Sequence, residues 1–290
     1  MAKIAVIGIV GESVFLRVPH HQAVGETAHA TSIHRELGGK GYNQAVAAAR
    51  FGAEVSFLGA IHNSDLNSYT EYTVREGIAP TFATKDEPSP YGVIVTDSTG
   101  DNRVTVYAGA ELSPEDVLGY REMIATADVL LINNEVPEAV NVAAVRIAKE
   151  NGVTVILNPA PARPVCDYLM ENVDLFTPNE HELAALGDVK NAVVTLGGDG
   201  SMTLYDGVRY PAVSFGEVVD TTGAGDTFSG VLAAIIAKRG GLSRDSLPGL
   251  SLECMVAGAA ASIEVTRRYV MPAIPDRDEV YARLSRDDIQ

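Results

Sequence analysis

The chain has 290 residues, 46% hydrophobic and 21% charged, and its 38 acidic against 22 basic side chains leave a net charge of −16. Such a composition is globular, and at this length about three quarters of the unfolded surface can be buried, which excludes a disordered, fibrous or disulfide-dependent chain. The acidity argues against a nucleic-acid partner, because phosphate backbones require clustered Lys and Arg, and no basic run is longer than Arg267-Arg268. No stretch reaches the roughly 18 apolar residues of a membrane span, so no membrane partner is expected. Cys166 and Cys254 lie far apart, which predicts reduced thiols in a cytoplasmic protein.

In chain order, residues 3–10 are a near-continuous apolar run, expected of a strand covered on both faces, and no signal-peptide cleavage pattern follows. Residues 13–37 hold short polar-apolar segments. Residues 43–51 are Ala-rich and helical, ended by Gly52, and 55–60 form the next strand. Residues 90–107 read as a hairpin turning at 98–102; with 13–37 they are expected to make a small β-sheet lid. Ser113-Pro-Glu-Asp116 is a capping box opening a helix to about Thr126. Strands at 129–132 and 153–157 enclose a helix at 137–150, and short strands at 173–177 and 192–196 enclose one at 180–186. A hairpin is expected around Asp206-Gly207, then a strand at 216–219 and two buried helices at 223–237 and 250–265. The alternation predicts an α/β fold in three layers, with a mostly parallel sheet between helices, as one domain over 1–290. Ligands in such sheets bind beyond the carboxyl ends of the strands.

Two motifs sit where chemistry is expected. Asp220-Thr-Thr-Gly-Ala-Gly-Asp226-Thr-Phe opens an apolar helix. Gly-Ala-Gly at a helix start leaves backbone N–H groups unobstructed, an anion site favoured by the helix dipole. Asp226 in the first turn is placed to take a proton from an attacking hydroxyl. Leu37-Gly-Gly-Lys-Gly-Tyr-Asn-Gln44 leads into the other helix, with Lys40 and Asn43 as polar contacts for a ligand. Neither is a Walker A motif, and Phe228 occupies the last position of a G-x-G-x-x-G fingerprint. Protein-kinase, H-E-x-x-H and G-x-S-x-G patterns are absent; His20 and His21 are adjacent within the expected lid.

Together these strings resemble the two signatures of the ribokinase-like (PfkB) carbohydrate kinase family, in the same order and at a similar separation. Gly25-Glu-Thr27, Ala108-Gly-Ala110, Asn158-Pro-Ala-Pro-Ala162, Thr177-Pro-Asn-Glu180, Thr195-Leu-Gly197 and Val265-Thr-Arg267 extend the resemblance over nearly the whole chain, closest to its ribokinase branch. The resemblance implies an α/β/α fold with a β-lid through which two copies pair. It implies Asp226 as catalytic base, with Gly223, Ala224 and Gly225 as the anion hole. Gly38, Gly39, Lys40, Asn43 and Glu135 would face the sugar. Asn179, Thr195, Gly197, Gly200 and Gly225 would serve ATP, Asn179 and Glu182 would serve Mg²⁺ through water, and Asp220 and Thr222 would serve K⁺.

The chain departs from that pattern where substrate is held. Gly11 and Ser13 stand where ribokinases carry an Asn and an Asp on the ribose hydroxyls. Glu12 is a candidate to compensate, and the small Gly11 and Ser13 are expected to leave room for a larger acceptor. Tyr269 and Ala273 replace a Gly and a Ser near the cation site; Tyr269 is expected to crowd the adenine pocket. A family helix is expected to be missing between Leu186 and Ala192. The resulting reading is an ATP-dependent kinase acting on a hydroxymethyl group of a small sugar, with ribose the leading candidate. A nucleoside kinase of the same family and a non-catalytic sugar-binding pseudokinase stay open as alternatives.

Overall fold

Alternate residues of the first strand feed two different cores. Ile4 and Val6 pack into one apolar cluster, and Ala5 and Ile7 into the other, as the two-residue period of a strand requires when both faces are covered. In this computed structural model, which describes residues 1–242, 247 and 249–284, the elements run β1 (Lys3–Ile7), β2 (Gly11–Arg17), β3 (Ser32–Gly38), α1 (Lys40–Arg50), β4 (Glu54–His62), α2 (Leu66–Arg75), β5 (Ile78–Lys85), β6 (Tyr91–Thr96), β7 (Asn102–Tyr107), α3 (Pro114–Gly119), α4 (Arg121–Ala125), β8 (Val129–Asn133), α5 (Glu138–Glu150), β9 (Thr154–Asn158), α6 (Asp167–Asn172), β10 (Leu175–Phe176), α7 (Glu180–Leu186), β11 (Val193–Thr195), β12 (Ser201–Thr203), β13 (Arg209–Tyr210), α8 (Ala224–Lys238), α9 (Ser251–Glu264) and α10 (Arg277–Arg283). The final six residues of the expected domain lie outside the described ones.

The central sheet has six strands in the order β10-β9-β8-β1-β4-β5, and every pairing in it is parallel. On one face α1 packs against α8 and α8 against α9; on the other, α3, α4 and α6 pack against α5. A bridge from Phe176 to Ala192 continues the sheet into the antiparallel β11-β12-β13. The lid is a separate four-stranded sheet, β3-β2-β6-β7. It forms where expected, except that residues 18–31 contribute no strand.

Several elements differ from their sequence expectation. The helix expected to reach Thr126 breaks at Tyr120, directly after Gly119, a residue that weakens a helix by about 1 kcal/mol against Ala. Residues 216–219 form no strand; instead the Val219 and Asp220 amides both donate to Val265 O at 2.7 and 3.2 Å. The helix of α1 begins at Lys40, not 43, which brings Lys40 onto its first turn. Residues 187–192 hold no helix, as the short spacing predicted.

Candidate active site

The strand ends and the starts of α1 and α8 converge on Asp226. This carboxylate is 5% exposed. Asn43 Nδ2 donates to its Oδ2 at 2.8 Å, and Gln44 Nε2 to its Oδ1 at 3.1 Å. Gln44 Nε2 also donates to Asn158 Oδ1 at 3.1 Å, and Asn158 Nδ2 donates to Thr177 O at 2.7 Å. Lys40, Asn43 and Gln44 share one face of α1 because they stand at i, i+3 and i+4. The sequence reading named Lys40 and Asn43 but missed Gln44; the same spacing was its signal.

The start of α8 has the geometry of an anion site. Gly223 caps the helix at φ 94°, and a Cβ there would lie 2.5 Å from Glu264 Oε1, so only glycine fits. Among the described residues, the amides of Gly223, Gly225 and Asp226 have no acceptor in the protein, while Thr227 N bonds back to Gly223 O at 2.8 Å. These are the orphan donors of a helix N-terminus, open to a phosphoryl group; Ala224 N makes only a long 3.4 Å bond to Thr221 O.

Charge around Asp226 is arranged in opposition. Asp226, and then Glu135 and Glu182, hold the Lys40 ammonium above its ordinary range. Glu135 accepts from Lys40 N at 2.7 Å and is itself fixed by its N–H donating to Asn133 Oδ1 at 2.9 Å. Burial, then repulsion from Asp226, push its carboxyl up to about 7. Glu264, unanticipated from sequence, is 1% exposed, and among the described residues neither oxygen makes a hydrogen bond of full geometry, Thr227 being the side chain that faces it. Burial first and Asp226 next raise its carboxyl well above the usual range, which favours the neutral form and keeps negative charge from the anion site.

On the β10–β11 side, Asn179 Oδ1 accepts from Glu182 N at 2.8 Å and Glu182 Oε2 accepts from Asn179 N at 2.9 Å, a reciprocal cap of α7. The other Glu182 oxygen takes no donor among the described residues and so fits a hard cation that retains water. A bridge pairs Asn179 with Thr195. Beyond it Gly197 and Gly200 shape an exposed turn, closed by Leu196 N donating to Gly200 O at 2.8 Å.

Asp220 and Thr222 meet in a tight turn, with Thr222 N and Oγ1 donating to Asp220 Oδ1 at 3.0 and 2.7 Å. Asp220 Oδ2 is left without a donor among the described residues. The facing loop after α9 keeps a left-handed bend at Tyr269, φ 67°, the one non-glycine residue with positive φ among those described. Such strain persists where surroundings enforce it. Here His34 stacks on the Tyr269 ring at 3.9 Å and Phe15 meets it edge-on at 5.3 Å. Glu36 of the lid accepts from Val270 N and Met271 N at 3.1 and 3.3 Å. The ring expected to crowd the adenine pocket is therefore packed into the lid. The bend and the free oxygen fit a monovalent cation.

The lid positions resolve differently from expectation. A Cβ on Gly11 would lie 2.1 Å from Pro90 O, so an Asn side chain is excluded there by backbone. Ser13 Oγ lies against Gly38. Glu12 does not compensate: strand alternation turns it to the other face of β2, where Arg35 Nη1 holds it at 2.8 Å. Gly39 precedes α1 at φ 114° and aims Lys40 N at Glu135.

Comparison with known proteins places this geometry. The model of the pfkB family carbohydrate kinases matches residues 1–277. The ribokinase of Lactococcus lactis is 31% identical, over 100% of this chain and 99% of its own length. A bifunctional ribokinase/ribose-5-phosphate isomerase A of Fructilactobacillus sanfranciscensis is 31% identical over 100% of this chain, which spans only 57% of that longer protein. The structure of Arabidopsis thaliana ribokinase complexed with ribose and ATP superposes with a TM-score of 0.81 at 26% identity, covering 98% of this chain and 100% of that one.

Proposed function

The chain belongs to the pfkB family of carbohydrate kinases, and we propose from its site that it is an ATP-dependent kinase phosphorylating the hydroxymethyl group of a small sugar, with ribose the first acceptor to test. The observation that carries this reading is the Asp226 carboxylate, fixed by Asn43 and Gln44 in the first turn of α8, whose amides lack a protein acceptor among the described residues. In the proposed reaction Asp226 takes the proton of the acceptor hydroxyl as its oxygen attacks the γ-phosphorus of ATP, and the bond from that phosphorus to the β,γ-bridging oxygen breaks to release ADP. Gly223, Ala224 and Gly225 receive the negative charge of the transferring group, and Lys40 offsets charge between Asp226 and Glu135. Asn43 and Glu135 orient the acceptor, and most of the acceleration comes from this positioning and electrostatics.

Asn179, Thr195, Gly197, Gly200 and Gly225 are proposed to hold ATP. Glu182, with Asn179, would hold Mg²⁺ through its waters, which would supply neutralisation of charge on the phosphates. Asp220 and Thr222 are the proposed K⁺ site. The lid is one part of a single kinase domain, closing over the acceptor to exclude water. A second copy pairing with it would cover β7, whose six residues are all exposed, Val104, Val106 and Tyr107 among them. Both cysteines are free, in keeping with a reducing cytoplasm.

ADP release with Mg-ATP across pentoses, hexoses and nucleosides, with and without K⁺, tests this. Turnover is expected with ribose or a related sugar. Turnover restricted to nucleosides, or none with folded protein that binds ATP, overturns the assignment.

A further inference from the structure

One cluster of ligating side chains lies outside the proposed kinase site. His21, in the segment between β2 and β3, turns its ring onto the tip of the β6–β7 hairpin. Its Nε2 lies 3.5 Å from Asp101 Oδ2 and 3.9 Å from Asp97 Oδ2, and 3.1 Å from Asp101 O. The three ligand atoms all fall within 4.8 Å of one another. A tetrahedral cation with bonds of about 2.0–2.1 Å to nitrogen and oxygen separates its ligands by about 3.4 Å, close to the two separations of His21 Nε2 from the carboxylates; ligation would replace the proton that Nε2 donates to Asp101 O.

The surroundings are those of an oriented site. The His21 side chain is 7% exposed and that of Asp97 14%, whereas Asp101 is 68% exposed and leaves an entry path. Asp97 Oδ1 is fixed by Thr99 N at 2.8 Å, Thr99 Oγ1 at 2.6 Å and Asp101 N at 3.2 Å. Outer hydrogen bonds of this kind orient a ligating carboxylate, and here they leave Oδ2 facing the imidazole. Two carboxylates and a neutral imidazole carry two negative charges, which a dication balances. Imidazole with carboxylate suits zinc and its first-row neighbours better than Mg²⁺ or Ca²⁺.

We propose that His21, Asp97 and Asp101 bind a divalent first-row transition metal that cross-links the 18–31 segment to the lid hairpin, at a site separate from the metal that accompanies ATP. The 18–31 segment has no helix or strand of its own. The hairpin it would be tied to lines, through Gly100 and Asn102, a cavity of about 180 Å³ that also meets Asp220 and Tyr269. The metal would thereby stiffen the lid over the floor of the site.

The test is a Co²⁺ titration of the chelator-treated full-length protein without nucleotide, read by visible d–d absorption and by Tm. One saturable equivalent with a low-coordinate spectrum is expected, with a rise in Tm. Both should vanish in His21→Ala and Asp97→Asn and persist in Glu182→Gln. The unliganded variants should melt with the wild type, which separates loss of the site from loss of the fold. No binding by folded wild type, an unchanged spectrum in His21→Ala, or loss of the spectrum in Glu182→Gln alone would each overturn the proposal. None of these readouts depends on kinase activity.

Discussion

The floor of the site and the lid above it are built on different principles. The floor is fixed by buried polar side chains from distant parts of the chain: Asn43 and Gln44 reach Asp226 across more than 180 positions, and Asn158 links them to Thr177. Beneath it lie two apolar clusters, where each fully buried Leu, Ile or Phe contributes about 1.5–3 kcal/mol. The lid has little of this. Its β7 is exposed along its whole length, and its grip on the body runs through His34 and Phe15 on Tyr269 and through Glu36 on two amides. In the proposed reaction proton transfer falls to this tightly hydrogen-bonded floor, which also orients the acceptor through Asn43 and Glu135, while the more thinly anchored lid covers it.

Breaking the floor should have the largest effect. Asp226→Asn is isosteric and removes the base; its new Nδ2 would face the Asn43 amide, whose Oδ1 has no donor among the described residues and can accept from it after a flip. Steady-state kinetics should show kcat lower by at least about 100-fold, with Tm nearly unchanged; near-normal turnover would remove Asp226 from its role. Next comes the lid, where Gly11→Ala drives a Cβ into Pro90 O. Such overpacking costs about 1–3 kcal/mol, and it should raise acceptor KM several-fold while kcat at saturation changes less. A kcat loss matching that of Asp226→Asn would mean that the two regions are not separable.

A subtler effect comes from Glu135, whose carboxyl is raised to about 7. Because the folded value lies above the ordinary carboxylate range, its ionisation is opposed by the fold. The stability it contributes is full in acid and is lost as pH rises through 7. Its ionised form is the better acceptor for Lys40 N and for a sugar hydroxyl. Acceptor kcat/KM should therefore rise across pH 7, and Glu135→Gln should flatten that step. The smallest effect is expected at Glu12→Ala, which breaks only an exposed pair with Arg35 on the far side of β2. Exposed pairs contribute little, so neither Tm nor KM should move measurably.

Much of the floor was legible in the sequence because it is carried by local signals. Apolar runs marked the parallel strands, glycines marked the starts of α1 and α8, and the family resemblance singled out Asn179 with Glu182. Elements whose sequence contradicts their place were not legible. Helix α2 buries only Tyr69 and Thr73, too narrow a stripe to show a helical period. Strand β5 contains Pro80, which is tolerated because β5 is the sheet edge. The burial of Glu264 and the contact of Gly11 with Pro90 are products of packing between remote segments, and no local pattern encodes them.

That last contact binds two positions into one hereditary unit. Residue 11 opens β2 and residue 90 sits just ahead of β6, neighbouring strands of the lid. A library that restores a polar side chain at position 11 while leaving Pro90 in place would return misfolded lids rather than new specificities. Retargeting this kinase to another acceptor would have to vary both positions together.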